Sequence, residues 1–231
     1  MEQQTPHKRQ NPWPGLLLNI IIPSIILIQL SSEERLGPVY SLVLALAFPL
    51  GYGIYDLIRA RRIGFMTVLG LVSVLLTGGI GLLQLDVQWL RIKEAAIPFI
   101  IGVAVLVSLR TPYPLVRTLL GNVLDMPRVH AALAARGTTA VFEQRLTRAT
   151  LMVAGSFFLS AILNYTLASL IVVSPPGTSA FNEELGRLTA LSFPAIALPS
   201  LLVAFAALWY VLHSIKQLAG LDVVEVLPGE E

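Results

Sequence analysis

Cysteine is absent from the sequence, which excludes a disulfide framework, a thiol nucleophile and a thiolate metal site. Charge is scarce as well. Asp, Glu, Lys and Arg make up 13% of the 231 residues and the formal net charge is only +2, too small to attract nucleic acid. The histidines His7, His130 and His213 are scattered, with no spacing that suits a metal ion, and read as surface residues. Neither a nucleophile with its base, nor paired catalytic carboxylates, nor a Gly-rich nucleotide loop can be found. The sequence therefore reads as that of a non-enzyme without cofactor or metal.

What the chain has instead is apolar surface: 55% of its residues are hydrophobic and the mean hydropathy is +0.74. A soluble domain has too little interior for that much apolar side chain, whereas lipid accepts it all round a helix. The expected fold is all-α, a polytopic membrane protein with six transmembrane helices at about 15–30, 38–58, 63–85, 89–109, 149–173 and 189–212. A polar segment, 1–14, precedes them, a loop at 110–148 joins the fourth to the fifth, and 214–231 reads as a tail. The exit of the first run, Gln29-Leu-Ser-Ser-Glu-Glu-Arg35, lacks a small-x-small cleavage site, so that run is expected to stay as a helix.

Two spans are short. At 1.5 Å per residue the first covers only about 24 Å of a roughly 30 Å hydrocarbon core, and Asn19 and Pro23 inside it predict a kinked helix. The apolar part of the fourth, Ala95–Leu109, covers about 22 Å. That helix must therefore begin near Trp89, which brings Lys93 and Glu94 a turn inside it. In the long loop, Leu115, Val116, Leu119, Leu120 and Val123 recur at helical spacing and predict a helix lying on the membrane surface. A second short helix is expected from Pro127 to Gly137, and a cap at Thr138 or Thr139 opens the fifth.

Counting Lys and Arg sets the orientation. Twelve of the sixteen fall on the side of the N-terminus, while Arg35, Arg91, Lys93 and Arg187 fall on the other. The positive-inside rule then puts both termini in the cytoplasm, and acidic residues split eight to six. Three spans plus three would relate the halves as an inverted repeat, with the first and fourth helices as counterparts, each carrying a polar residue four before its proline: Asn19 with Pro23, Glu94 with Pro98. Matched short, proline-interrupted segments are a known pointer to a transporter-like site.

Each polar residue in the spans has two readings. Lys93 and Glu94 are either an interfacial helix start, the lysine snorkelling outward and the carboxylate near the positive helix N-terminus, or a charged site facing a cavity. Asn164, in mid-span, either makes an interhelical hydrogen bond or binds a ligand, and Asn19 is similar. Asp56 lies within a turn of Arg59 and reads as half of a local ion pair. Gly78, Gly79 and Gly81 read as packing residues. Arg110, Arg117 and Arg128 are topology signals that also suit anionic lipid headgroups.

At 75–98 the sequence resembles the bacterial intracellular septation protein A family of inner-membrane proteins. Gly78-Gly79, Leu82, Leu85, Asp86, Trp89, Lys93 and Pro98 carry the likeness, which continues in Pro114-Leu115, Leu119-Leu120-Gly121, Leu163-Asn164, Phe181, Gly186 and Leu188-Thr-Ala-Leu191. Glu94 stands where the family tends to have an aromatic, the basic residue after Pro114 falls at Arg117 rather than one place later, and the long loop and Pro175-Pro176-Gly177 look like insertions. These departures mark a sister group. The resemblance implies a multi-pass protein of the bacterial cytoplasmic membrane. It also implies a role in envelope integrity or septation through other inner-membrane proteins of envelope synthesis or division, with no catalytic residues. The alternative is a small transporter or lipid-handling protein with a polar site formed by Asn19, Lys93, Glu94 and Asn164, between helices one, four and five.

Overall fold

A computed structural model describes residues 13–60, 65–111, 114–121 and 123–226. Among the described residues every regular element is helical. These are α1 (13–30), α2 (Gly37–Ala60), α3 (Phe65–Leu82), α4 (Val87–Ser108), α5 (Leu115–Gly121), α6 (Met126–Ala135), α7 (Thr139–Ile171), α8 (Ser179–Ala219) and α9 (Val223–Val226). Three of them, α2 over Gly37–Ile58, α7 and α8, are long and apolar enough to cross a membrane. The apolar stretches Leu17–Leu30 in α1 and Val68–Leu82 in α3 are shorter. With 22 residues α4 has the length, but its second turn holds Arg91, Lys93 and Glu94. Leu170 (74% exposed), Leu202 (70%) and Ile162 (63%) present bare apolar side chains outward, a surface that suits lipid and not water.

The helices stop where their sequences supply a terminator. Asp86 opens α4, its carboxylate accepting the Gln88 N–H at 2.7 Å, and Asp125 does the same for α6 through Arg128 N–H at 3.1 Å. Thr178 caps α8 through the N–H of Phe181, and Gly220 closes it in the left-handed conformation. The turn between α3 and α4 takes only Leu83 to Asp86, with Gln84 at φ 52°. Glycine normally fills that position, but Gln84 uses its side chain there, lying against the left-handed Gly177 of the α7–α8 loop.

Prolines are accommodated in two ways. Proline removes one N–H and its ring crowds the carbonyl four residues back. In α1 a π-turn spans Leu17–Ile21, with the Ile22 N–H bonded to the Leu17 carbonyl, and its middle residue, Asn19, is the one four before Pro23. In α8 the π-turn Phe193–Ala197 centres on Ala195, four before Pro199. A wider turn moves the threatened carbonyl aside, the usual origin of such bulges. Pro49 and Pro98 sit inside regular α-helix. Asn19 and Glu94, matched in sequence, thus occupy different local backbones.

The chain divides into two compact units, Met1–Lys93 with Leu167–Ser192, and Glu94–Thr166 with Phe193–Glu231. The first has a core of Ile26, Leu27, Leu42, Ile80, Leu90, Val172 and Phe181, among others. Within it Gly81 and Gly78 meet the side chains of Leu42 and Leu46 more closely than a Cβ would permit, whereas Gly79 has open space. Only two of the three glycines expected to pack do so. The second unit is built on Phe142, Leu146, Leu133, Val129, Ile215 and Val226. Val226 is fully buried and its carbonyl accepts the Asp125 N–H at 2.8 Å. The stretch after 213, which reads as a tail in sequence, is therefore packed as far as 226, because α8 continues to Ala219 and Val226 returns an apolar anchor. The last residues of that stretch, 227–231, lie outside the described residues, as do Arg61 and Arg62.

Candidate functional site

Lys93 is the one residue of the sequence-predicted site that is buried. It lies about 9 Å along α4 from Val87, is 8% exposed, and its ammonium donates to Thr77 Oγ1 at 2.8 Å and to Ser73 Oγ at 3.4 Å on α3. Thr77 in turn donates to the Ser73 carbonyl one turn back. The side chain thus runs inward to α3 instead of snorkelling. Because Thr77 keeps its bond to Ser73 without the lysine, Lys93→Met should leave the fold intact, within about 1 kcal/mol, since an apolar side chain of similar length removes the cost of burying a charge. A melting temperature in detergent checks this, and a loss of several degrees would give the ammonium a larger structural share.

Arg91, two residues earlier, reaches the end of α7. Its Nη2 donates to the Val172 carbonyl at 2.9 Å, just past the end of α7, where carbonyls lack helical donors and the helix dipole is negative. From the other side Glu184 of α8 accepts the N–H groups of Val173 and Ser174, each at 2.9 Å, and the Ser174 hydroxyl at 2.7 Å. The end of α7 is therefore held by a cation on the carbonyl just past it and a carboxylate on the amides that follow.

A second polar centre lies in the same unit. Asn182 is 1% exposed and donates to the Pro38 carbonyl at 2.7 Å and to Ser41 Oγ at 3.1 Å. Ser41 shares a hydrogen bond with Ser31 at 2.8 Å, and Ser179 donates to the Ser31 carbonyl at 2.6 Å. This network ties α8 to the start of α2 and to the α1–α2 turn. Sequence reasoning missed Asn182, Glu184, Ser31 and Ser41, since a lone amide or serine near a helix end is an ordinary cap candidate and only the packing shows its partner.

The remaining predicted residues are dispersed. Asn164 donates to the Ser160 carbonyl at 2.8 Å and to Ser160 Oγ at 3.3 Å, both on its own helix, where the expectation was a bond to another. Asn19, half-buried, lies in the α1 π-turn beside Gly15. Glu94 is half-buried on α4. In the second unit Arg117 pairs with Glu143, while Arg110 and Arg128 are exposed. Arg145 donates to Ser214 Oγ and to Gln217 Oε1 at 2.7 Å, and Thr138 donates to the Leu218 carbonyl at 3.0 Å. His130 stands edge-on to Phe142 and His213 stacks on Trp209. No group of three or more metal-ligating side chains occurs among the described residues. No protein family, curated protein or solved structure matches the chain.

Proposed function

We propose that the chain is a multi-pass protein of the bacterial cytoplasmic membrane, with six crossings and both ends in the cytoplasm. It supports envelope integrity or septation by contact with other membrane proteins, not by catalysis. The observation that carries this reading is where the buried and half-buried polar groups go. Lys93, Arg91, Glu184 and Asn182 bond to helix ends and neighbouring helices of the fold, so the membrane-level polarity serves assembly, while the outward surface is apolar. The excess of Lys and Arg on one side supports the orientation, and the resemblance to septation proteins supports the role. The inverted 3+3 relation belongs to the same proposal and rests on the Asn19–Pro23 and Glu94–Pro98 spacing.

A cysteine-free chain makes the topology directly testable. Single cysteines at Arg35, Gln84 and Pro176 should react with a membrane-impermeant maleimide in spheroplasts. Those at Arg136 and Asp222 should react only after lysis. Labelling of Arg136 from outside would overturn the six-crossing arrangement.

The burial of Lys93 favours one second reading, a transporter or lipid-handling protein. A thermal-shift screen against lipids and polar metabolites separates the two. A ligand at a hundredfold excess over its Kd adds about 2.7 kcal/mol. A compound that stabilises the native protein by that amount and fails on Glu94→Gln would replace the partner-contact reading. Equal melting of both proteins throughout is the result expected here.

A further inference from the structure

Helix α5 carries apolar residues on two faces. Val116 and Leu120 are buried in the core of their unit together with Leu124. Leu115 and Leu119, four residues apart and so on one face of it, are 40% and 62% exposed, and Val123, in the turn just past its end, is 55% exposed. A surface helix that only covered a soluble core would turn a polar face outward. The chain also fixes where this stripe begins. Ser108, the last residue of α4, donates through its hydroxyl to the Val105 carbonyl at 2.6 Å and accepts the Leu115 N–H at 3.1 Å, so the start of α5 is tied to the last turn of an apolar helix. Arg110, two residues on, is exposed, and so is Arg148, directly before the buried Ala149 and Thr150 of α7. Arg117, within α5, is taken by Glu143.

We propose that α5 is an interfacial helix of the cytoplasmic leaflet. Leu115 and Leu119 on it, with Val123 in the turn that follows, insert at the boundary between headgroups and acyl chains, and Arg110 and Arg148 hold the phosphates of anionic lipids beside them. An apolar stripe flanked by guanidiniums is the pattern that binds such a surface. The occupant is lipid because the Ser108–Leu115 bond holds these apolar side chains at the end of the apolar helix α4, and the exposed charges nearest in the chain to the two helices it joins, Arg110 in the turn after α4 and Arg148 on α7, are cations that suit anionic headgroups. The proposal rests on the six-crossing arrangement that puts 110–148 in the cytoplasm.

The test uses the full chain with a nitroxide on a single cysteine, reconstituted into nanodiscs of phosphatidylcholine alone or with phosphatidylglycerol, and reads collisions with oxygen against a water-soluble nickel chelate. A label at Leu119→Cys should favour oxygen, and more so with phosphatidylglycerol; one at Thr118→Cys should favour nickel. Arg110→Gln with Arg148→Gln should abolish the phosphatidylglycerol effect at 119. Equal nickel access at 118 and 119 overturns the insertion, and shielding of 119 from both reagents, which signals a protein partner or a second copy, overturns the choice of lipid. An unchanged phosphatidylglycerol effect in the double variant overturns the role of the arginines. Leu202→Cys is the control: water access there would mean that the crossing arrangement itself fails, whatever α5 does.

Discussion

Replacing Gly186 with leucine is expected to abolish recovery of folded protein, while Gly79→Ala leaves it unchanged or slightly raised. Gly186 is buried on α8 where it crosses α1. A Cβ there would lie 2.9 Å from Ile28 Cγ1, 3.0 Å from Leu27 Cβ and 3.0 Å from the Ser24 carbonyl oxygen. The last of these is backbone, which cannot rotate out of the way, so relief requires the two helices to separate. Overpacking of this kind costs about 1–3 kcal/mol for small additions, which predicts a melting loss of roughly 2–12 °C for Gly186→Ala at this chain size. The leucine adds three further heavy atoms to the same contact. Gly79 is the matched control, because nothing lies within 4 Å of its would-be Cβ and alanine is the better helix former by about 1 kcal/mol. Size-exclusion profiles in detergent, followed by thermal melts, read both effects. Normal behaviour of Gly186→Leu would mean that α1 and α8 do not meet as described.

One turn before Gly186 on α8, where the helix meets α2, Asn182→Asp is expected to be markedly worse than Asn182→Ala. The amide donates two hydrogen bonds in a site that is 1% exposed. Alanine removes them and leaves a small void, at a cost of about 2–3 kcal/mol. Pro38 keeps its place at the start of α2, and Ser41 keeps its bonds to Ser31 and to the Gly37 carbonyl. Aspartate instead points an acceptor at the Pro38 carbonyl and brings a charge that nothing there offsets, at about 3–5 kcal/mol. The ranking, more than either value, is the test. If aspartate melts at or above the alanine variant, the site is wetter than the burial indicates.

Much of this fold was legible beforehand. The helix pair joined at Leu83–Asp86, the helix after Pro127 and the long helix from Thr139 all follow from apolar periodicity and local capping chemistry, which need only neighbouring residues, whereas the fourth helix, expected to begin near Trp89, starts at Val87 behind an Asp86 cap. The first span was read as kinked at Pro23, and the π-turn centred on Asn19 is the form that disruption takes. The site was less legible. Nothing in the residues around Arg91 points to its partner, the Val172 carbonyl 81 positions away, because only folding brings the end of α7, with carbonyls that lack helical donors, beside it. Asn164, expected to bond to another helix or to a ligand, turns back to Ser160 one turn earlier on its own helix, a partner that is always within reach of a polar side chain in a helix.

Composition alone determined that the chain is helical and belongs in a membrane, since no soluble interior holds so much apolar surface and lipid requires every backbone group to be bonded within its own segment. Spacing alone determined most helix boundaries, which depend on residues within one or two turns. The tertiary structure decided which polar residues matter to one another: Lys93 with Thr77, Arg91 with Val172, Asn182 with Pro38, Glu184 with the amides after α7. It also decided which glycines bring helices together and that the stretch after 213 packs as far as Val226. These are contacts between segments far apart in the chain, and a buried polar group's partner is set by whichever unsatisfied donor or acceptor folding brings within about 3 Å, a quantity that no local pattern encodes.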